Sequence, residues 1–447
     1  MATADAATPA QVLQTTRFAE RLAEIELRVP TALALAKSES SLAKRNQVRR
    51  KLYHDSELLR VELEEEMNAR GIEAQWGTAP EMKEANAKLD AVRKQLRLEI
   101  CPASKSPFEL VYMIARLATM VLLLVGWFSA ITVLIPLKLL NPLLAQLGVK
   151  KNYFPMDVLS VRGWLLLMML WLCAYLPVVW SMANLLCIAA CADFTAEGTD
   201  NIGNLKDPVV CMFSHASNLD GFIANAASHT ALRFAAKKSL FMIPCLGWAA
   251  RWGFDFVAID RGNRSSALKS LQHLATSVNE RGFSVCISPE GTRSKDGLLQ
   301  EFKKGPFYLR EDIKKDVVPA IVFGAYELWP PGRLFALPGK ALIRFLPQVQ
   351  NDPSKNRNQN RLALRRIFLK AFTEDVPDDI GTHVDLNSVL KNIAALYLMW
   401  ALTFKVTSIA LSAIGWVCFW LGISYWTFVK LAMLLGVAGE ALMFFTC

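Results

Sequence analysis

The sequence VVCMFSHASNLD at residues 209–220 changes from an uninterrupted apolar run to a polar segment that opens a helix. The run Val209–Phe213 predicts a strand buried on both faces, which is typical of the centre of a parallel sheet. A helix is predicted to begin near Leu219, because preferred N-cap residues stand directly around its start. His215 is therefore expected on a strand-to-helix turn, at a sheet edge where ligands commonly bind.

Apolar runs and helical patterns continue to alternate through residues 194–385, which form the predicted α/β domain. Further strand-like runs occupy Phe254–Ile259, Phe283–Ser288, Val317–Gly324 and Ala341–Pro347. Helical patterns occupy Ser265–Glu280 and Arg357–Phe372. This alternation predicts a mixed sheet covered by helices.

His215 and Asp220 stand five positions apart across the predicted turn. A carboxylate at the start of the helix can reach back to a ring nitrogen, where it fixes the tautomer and stabilises the imidazolium. The pair therefore predicts a general base with its orienting acid. The alternative is a loop histidine beside a helix-capping aspartate.

A second motif, Glu290-Gly291-Thr292-Arg293, follows another strand-like run. Pro289 and Gly291 favour a tight turn at this point. The planar guanidinium of Arg293 matches two phosphate oxygens at once, and Thr292 with nearby backbone N–H groups can add further donors. The motif thus predicts a phosphate-binding turn, with an ordinary β-turn carrying a surface arginine as the alternative.

Additional cations lie close to these motifs in the sequence. Arg261 follows the run that ends at Ile259, and lysines stand at Lys237, Lys238, Lys303 and Lys304. Cations gathered at one edge of a sheet would attract an anionic substrate. The alternative for each of them is a solvated surface charge.

The overall composition is tilted toward a membrane protein. Apolar residues make up 53% of the 447 residues, charged residues 20%, and the net charge is +10. The positive charge favours an anionic phospholipid surface or a phosphorylated substrate, whereas no zinc-finger spacing or basic helical face points to nucleic acid. The nine cysteines include no Cys-x-x-Cys pair. Buried thiols in a reducing compartment are therefore expected, without a metal site.

Three apolar stretches are long enough to cross ~30 Å of hydrocarbon as helices: Leu117–Leu137, Trp164–Ala192 and Val406–Val429. The first two predict a membrane helical hairpin within residues 106–193, whose helices either cross the bilayer or dip into one leaflet. The third predicts a C-terminal membrane segment within residues 386–447. The surrounding charges do not fix an orientation. An integral membrane protein is expected, in the endoplasmic reticulum, with another organelle or a bacterial inner membrane as alternatives.

Residues 1–105 are rich in Ala, Glu, Lys, Arg and Leu, unlike the rest of the chain. Helical patterns occupy Arg17–Arg28, Leu42–Arg70 and Pro80–Glu99. They predict a charged helical extension of solvated helices without catalytic groups. Self-association through these helices is the alternative role, although no heptad register is sustained.

Four motifs occur in order along the chain: Ser214–Asp220, Gly253–Arg261, Pro289–Ser294 and Val317–Phe323, which contains Pro319. In order and spacing they resemble the glycerolipid acyltransferases of the lysophosphatidate (1-acylglycerol-3-phosphate) acyltransferase superfamily. The second motif is one residue longer than the usual pattern, and the first has Ser-His where many members have Asn-His. The resemblance covers neither the N-terminal region nor the C-terminal apolar tail.

The resemblance implies an α/β acyltransferase domain that transfers a fatty acyl group from acyl-CoA to the hydroxyl of a phosphate-bearing glycerolipid. His215 would be the general base and Asp220 its orienting partner. The other implied residues are Glu290, Gly291, Thr292, Arg293 and Arg261 for the phosphate, and Pro319 for an acyl or acceptor groove. Acyl-CoA is then a co-substrate, membrane lipid the surrounding partner, and no cofactor or metal is expected.

The acceptor expected from the resemblance is lysophosphatidate. Glycerol 3-phosphate or another lysophospholipid is an alternative acceptor. Two other classes stay open: a CoA-independent transacylase, and a membrane scaffold that keeps the fold without activity. The presence of His215, Asp220, Glu290 and Arg293 together favours an enzyme.

Overall fold

The computed structural model describes residues 8–102 and 192–382, together with isolated positions at 114 and between 394 and 427. Short gaps within these ranges fall at 203–207, 229–231, 244–246, 248–249, 252–255, 261, 282–283, 314, 335 and 338. Apart from Ile114, Ala192 and Asp193, the predicted membrane hairpin at 106–193 lies outside the described residues, and so does most of the predicted segment at 386–447. Among the residues that are described, no helix is both long and apolar enough to span a bilayer.

Seven strands within the described residues form one sheet in the order β1-β7-β6-β2-β5-β3-β4. The strands are β1 (Ala192–Glu197), β2 (Val210–Phe213), β3 (Leu232–Lys237), β4 (Val257–Ile259), β5 (Ser284–Ile287), β6 (Val317–Phe323) and β7 (Gly339–Phe345). Neighbouring strands run parallel except β6 and β7, which are antiparallel. The predicted mixed sheet is therefore confirmed. Because β2 to β6 are parallel, their carboxyl ends meet at one edge.

Helices cover both faces of the sheet. Among the described residues, five α-helices belong to the α/β region: α5 (Asp220–Ala227), α6 (Arg264–Arg281), α7 (Gly305–Ile313), α8 (Ala325–Leu328) and α9 (Arg357–Phe372). Four precede it: α1 (Pro9–Thr15), α2 (Phe18–Ser38), α3 (Leu42–Ala69) and α4 (Pro80–Gln95). The predicted N-terminal helices are thus present, and α3 and α4 begin at the predicted residues. In contrast, α2 continues to Ser38 instead of ending at Arg28, and α1 was not predicted.

The central strands show why the sheet is buried on both sides. All four residues of β2 and of β5 are buried, as their continuous apolar runs predicted. Val210 and Met212 face the core shared with α6, α7, α9 and the N-terminal helices, whereas Cys211 and Phe213 face the core beneath α5. This alternation with a period of two residues places the two helical layers on opposite faces.

The N-terminal helices pack against the α/β region instead of standing free in solvent. Apolar side chains of α2 to α4 join the core that contains the residues of α9. Two buried ion pairs reinforce this contact, Glu57 with Arg365 and Arg50 with Glu327, and every one of these side chains is at most 3% exposed. The prediction that these helices are solvated is therefore wrong for the faces that pack on the α/β region. The sequence around a charged residue does not show whether a distant segment will bury it against a partner of opposite charge.

Candidate active site

His215 and Asp220 lie at the carboxyl edge of the sheet, where β2 turns into α5. The ring Nδ1 of His215 is 3.1 Å from Oδ2 of Asp220. The aspartate side chain is 2% exposed, whereas that of the histidine is 24% exposed. The expected pairing of the two side chains is thus present, with the imidazole reaching solvent and the carboxylate behind it.

The same carboxylate oxygen also organises the turn between the two residues. Oδ2 of Asp220 accepts the backbone N–H groups of Ala216 and Ser217, each at 2.7 Å. Because a carboxylate oxygen can only accept, Nδ1 of His215 carries the hydrogen between the two groups, and in the neutral imidazole Nε2 then keeps its lone pair. The pairing therefore leaves Nε2 as the ring nitrogen that can take up a proton.

The backbone of His215 is held by the second motif, which follows the neighbouring strand β5. Its N–H donates to Oε1 of Glu290 at 2.8 Å, and its carbonyl accepts the N–H of Ser294 at 2.7 Å. Oε2 of Glu290 accepts the N–H of Gln300 at 2.8 Å. Glu290 consequently joins three segments of backbone at the edge of the sheet.

Glu290 is 1% exposed. Burial raises the pKa of Glu290 to about 8, against the opposing effect of its hydrogen bonds from the backbone of His215 and Gln300. Both oxygens accept from backbone donors, so this side chain positions the two loops. Within the motif, phosphate binding stays a prediction for the residues that follow Glu290.

Arg293 and Thr292 are exposed on the turn that Glu290 anchors. The Nη1 of Arg293 contacts the side-chain oxygen of Asn218 in the first motif. Thr292 Oγ1 lies 3.3 Å from the side-chain oxygen of Gln300. The guanidinium of the second motif therefore stands beside the loop that carries His215.

Gly291 allows this turn to form. Its φ is +70°, a left-handed conformation that side chains other than glycine rarely adopt. A Cβ at this position would also lie 3.3 Å from Cγ of Lys303, whose backbone N–H donates to the carbonyl of Pro289 at 2.7 Å. The glycine thus permits a closed turn with the exposed Thr292 and Arg293 at its tip.

The two remaining predicted site residues are placed differently. Pro319 is buried inside β6, in register with Met212 of β2, and its carbonyl accepts the N–H of Leu346 at 2.8 Å. Its role in a substrate groove stays a prediction. Arg261 lies outside the described residues. Asp260, the residue directly before it, has its Oδ2 3.9 Å from Nζ of Lys238.

Two serines of the first motif hold its loop in ways that the sequence analysis did not predict. Ser214 Oγ accepts the N–H of Val322 on β6 at 3.0 Å. Ser217 Oγ donates to the carbonyl of Trp329 at 2.8 Å and accepts the N–H of Leu219 at 3.1 Å. The preference of serine for bonding nearby backbone was the available signal, but the partners on β6 and after α8 are remote in sequence.

Comparison with known proteins supports this domain class. Residues 193–322 match a family model described as Acyltransferase. A 1-acyl-sn-glycerol-3-phosphate acyltransferase of Limnanthes douglasii is 30% identical over 147 residues, covering 33% of this chain and 52% of that protein. One of Chlamydomonas reinhardtii is 35% identical over 210 residues, covering 45% and 60%. The chain thus spans about half the length of the curated relatives it matches.

Another curated protein and a solved structure are also similar to this chain. A chloroplastic 1-acyl-sn-glycerol-3-phosphate acyltransferase of Arabidopsis thaliana is 33% identical over 136 residues, covering 30% of this chain and 37% of that protein. The crystal structure of the 1-acyl-sn-glycerophosphate acyltransferase from Thermotoga maritima is 22% identical, with a TM-score of 0.39, covering 54% of this chain and 99% of that one.

The family match and the paired motifs define this region as an acyltransferase domain, and hence as part of an enzyme. Over this region the chain is similar to 1-acyl-sn-glycerol-3-phosphate acyltransferases. The resemblance inferred from the four ordered motifs is thereby confirmed.

Proposed function

We propose that this chain transfers a fatty acyl group from acyl-CoA to the free hydroxyl of lysophosphatidate, forming phosphatidate and CoA. The observation that carries the proposal is the contact between Arg293 and Asn218, which brings the guanidinium of one motif to the loop that carries His215. A phosphorylated alcohol bound there would have its phosphate at the guanidinium and its hydroxyl near the imidazole. The names of the relatives support the same acceptor.

The chemistry assigned to His215 is general-base catalysis. Its Nε2 takes the proton of the acceptor hydroxyl as the oxygen attacks the thioester carbonyl. The tetrahedral intermediate then collapses, the carbon–sulfur bond breaks, and the imidazolium returns its proton to the leaving CoA sulfur. Asp220 holds the ring and stabilises its positive charge between the two proton transfers. The transfer is direct, so no acyl-enzyme is formed.

The acceptor phosphate is assigned to the exposed turn of the second motif. Arg293 offers a planar pair of donors that matches two phosphate oxygens, and the Thr292 hydroxyl lies next to it. Lys303, exposed and packed beside Gly291, adds positive charge to the same turn. Arg261 is proposed as a further phosphate ligand from the loop after β4.

We further propose that the chain works as an integral membrane protein. The sequence supports this with its three long apolar stretches. Within the last of them, five large apolar side chains of the described residues are exposed: Trp416, Val417, Phe419, Trp420 and Leu421. Lipid would cover such a surface, and an active site at the interface would keep the acceptor phosphate in water and its acyl chain in the bilayer.

The direct test is acyl transfer by the full chain in lipid nanodiscs, with radiolabelled acyl-CoA and separate acceptors. We expect labelled phosphatidate from lysophosphatidate, and little product from glycerol 3-phosphate or lysophosphatidylcholine. Transfer that needs a donor phospholipid and no acyl-CoA would identify a transacylase instead. An absence of transfer to every acceptor, from a folded preparation, would contradict the proposal.

A further inference from the structure

The loop that carries the phosphate-binding turn continues along the N-terminal helices. Leu98, just after α4, donates its N–H to the carbonyl of Asp296 at 2.9 Å. The hydroxyl of Tyr53 on α3 donates to the carbonyl of Leu299. Residues 296–299 begin three positions after Arg293, so the segment after the phosphate-binding turn rests on the helical extension.

Arg93 on α4 makes the densest set of contacts with this segment. Its Nε and Nη2 donate to the two carboxylate oxygens of Asp296, at 2.6 and 2.9 Å. The same guanidinium donates to the carbonyl of Leu299 at 3.0 Å and to that of Leu298 at 3.2 Å. The Arg93 side chain is 16% exposed, so the fork is largely removed from solvent. One side chain thereby fixes both a carboxylate and the backbone of the loop.

Asp296 passes this constraint to the active site. Its Oδ1 accepts the hydroxyl of Ser294 at 2.7 Å, and the N–H of Ser294 donates to the carbonyl of His215 at 2.7 Å. Burial alone would raise the pKa of Asp296, but the hydrogen bond and charge of Arg93 outweigh it and hold that pKa below its ordinary value. Hydrogen bonds therefore connect Arg93 through Asp296 and Ser294 to His215.

A second connection runs from the same helices to the other side of the motif. Glu57 on α3 pairs with Arg365 of α9, and Arg365 donates to the carbonyl of Gln300. The N–H of Gln300 in turn donates to Glu290. Both connections end at the backbone of His215, one at its carbonyl and the other at its N–H.

We propose that Arg93 is a positioning residue for the acceptor site: the N-terminal helices set the geometry of the phosphate-binding turn through the Arg93–Asp296 pair. The inference rests on the proposed function, because it assigns the acceptor phosphate to Arg293. Arg93 itself touches no substrate. Its role explains why a helical extension outside the matched family region packs so closely on the motif loop.

Loss of this constraint would act on acceptor binding. Arg293 is exposed at the tip of the turn, so its position depends on the backbone that Arg93 and Asp296 hold. A misplacement of ~1 Å at a binding group can cost up to ~10²-fold in rate. The acyl-CoA site has no such dependence in this proposal, so its KM is expected to stay close to that of the wild type.

The test compares Arg93→Lys and Arg93→Ala with Arg366→Ala in the full chain. Arg366 pairs with Glu65 across the same interface and is the matched control. We expect the Arg93 variants to raise the lysophosphatidate KM by ~10–100-fold with little change in acyl-CoA KM. Arg366→Ala should leave both constants close to wild type. Arg93→Lys keeps the charge but not the fork, and therefore separates geometry from charge.

Hydrogen–deuterium exchange supplies a readout that needs no activity. In the Arg93 variants, the amides of residues 289–303 should exchange faster while those of β2 and β5 stay protected; in Arg366→Ala, neither should change. If the wild type shows no acyl transfer while the variants show this exchange pattern, the proposed function is contradicted and the role of Arg93 in holding the loop is supported. Unchanged exchange in the loop, or an equal loss for both substrates, would overturn the inference.

Discussion

The N–H of His215 donates to the carboxylate of Glu290 at 2.8 Å, although the two residues are 75 positions apart in the chain. This bond joins the turn after β2 to the turn after β5, which are adjacent strands of the sheet. The backbone carrying the proposed base is therefore fixed by the motif proposed to bind phosphate. The two halves of the site are expected to move together.

The first prediction concerns the base. Loss of a general base lowers the reaction rate by ~10²–10⁴-fold. His215→Ala should therefore lower kcat by at least ~10²-fold while the protein stays folded. His273 is exposed on α6 and belongs to none of the motifs, so His273→Ala is the matched control. Steady-state acyl transfer and circular dichroism measure the two effects. Near-wild-type turnover by His215→Ala would show that another group is the base.

A second prediction addresses the orienting carboxylate. Asp220→Asn can still accept the backbone N–H groups of Ala216 and Ser217, so the turn should survive. The ring loses its negative partner, and kcat should fall by up to ~10⁴-fold with little change in acceptor KM. The kcat and KM of the purified variant check this. A rise in KM alone would mean that Asp220 only shapes the turn.

The turn proposed to bind phosphate gives a third prediction. Arg293→Lys keeps the charge and loses the planar fork, so kcat/KM for lysophosphatidate should fall ~10-fold or more, corresponding to about 1.4 kcal/mol. The acyl-CoA KM should change little. Lys295→Ala removes an exposed charge two residues further along and serves as the control. If Lys295→Ala has an equal effect, general electrostatic attraction is responsible and the fork is not.

A fourth prediction follows from the buried carboxyl of Glu290. Its pKa is raised from 4.5 to about 8 in the folded protein. Between these values the folded state holds a proton that the unfolded chain has released, so the contribution of Glu290 to stability decreases as pH rises through this window. Glu290→Gln does not titrate. The free energy of unfolding of the wild type minus that of Glu290→Gln should therefore decrease from the acidic to the basic end of this pH window.

Urea unfolding of both proteins at the two ends of that window measures the difference. A constant difference would indicate that the two backbone donors keep Glu290 ionised throughout.

The last prediction concerns membrane insertion. Val417 lies at the centre of the uncharged stretch Val406–Val429, where a lysine costs roughly 2.5–3.5 kcal/mol on insertion scales. Val417→Lys should release protein in carbonate extraction, or shift its topology, without altering the motif fold. Deletion of residues 387–447 should do the same. Full retention of both variants would show that this segment is not what holds the chain in the membrane.

Local sequence patterns were enough to predict several strands, a helix and one pair of side chains in the candidate site. The apolar runs of β2, β5 and β6 predicted buried strands, because strands covered on both faces have no polar side to alternate with. The helix Arg357–Phe372 was predicted with the bounds that the structure has. The pairing of His215 with Asp220 was also predictable, since a turn followed by a helix start brings positions five apart together.

Tertiary structure decided the rest. β3, with the sequence LRFAAK, contains few strong strand formers, and it pairs because β4 and β5 lie on either side of it. Glu290 was expected at the phosphate, but its backbone partners turn it inward. Arg93 and Asp296 are 203 positions apart, and nothing in either local sequence points to the other. Backbone conformation follows from near neighbours, whereas the partner of a buried charge depends on how distant segments pack.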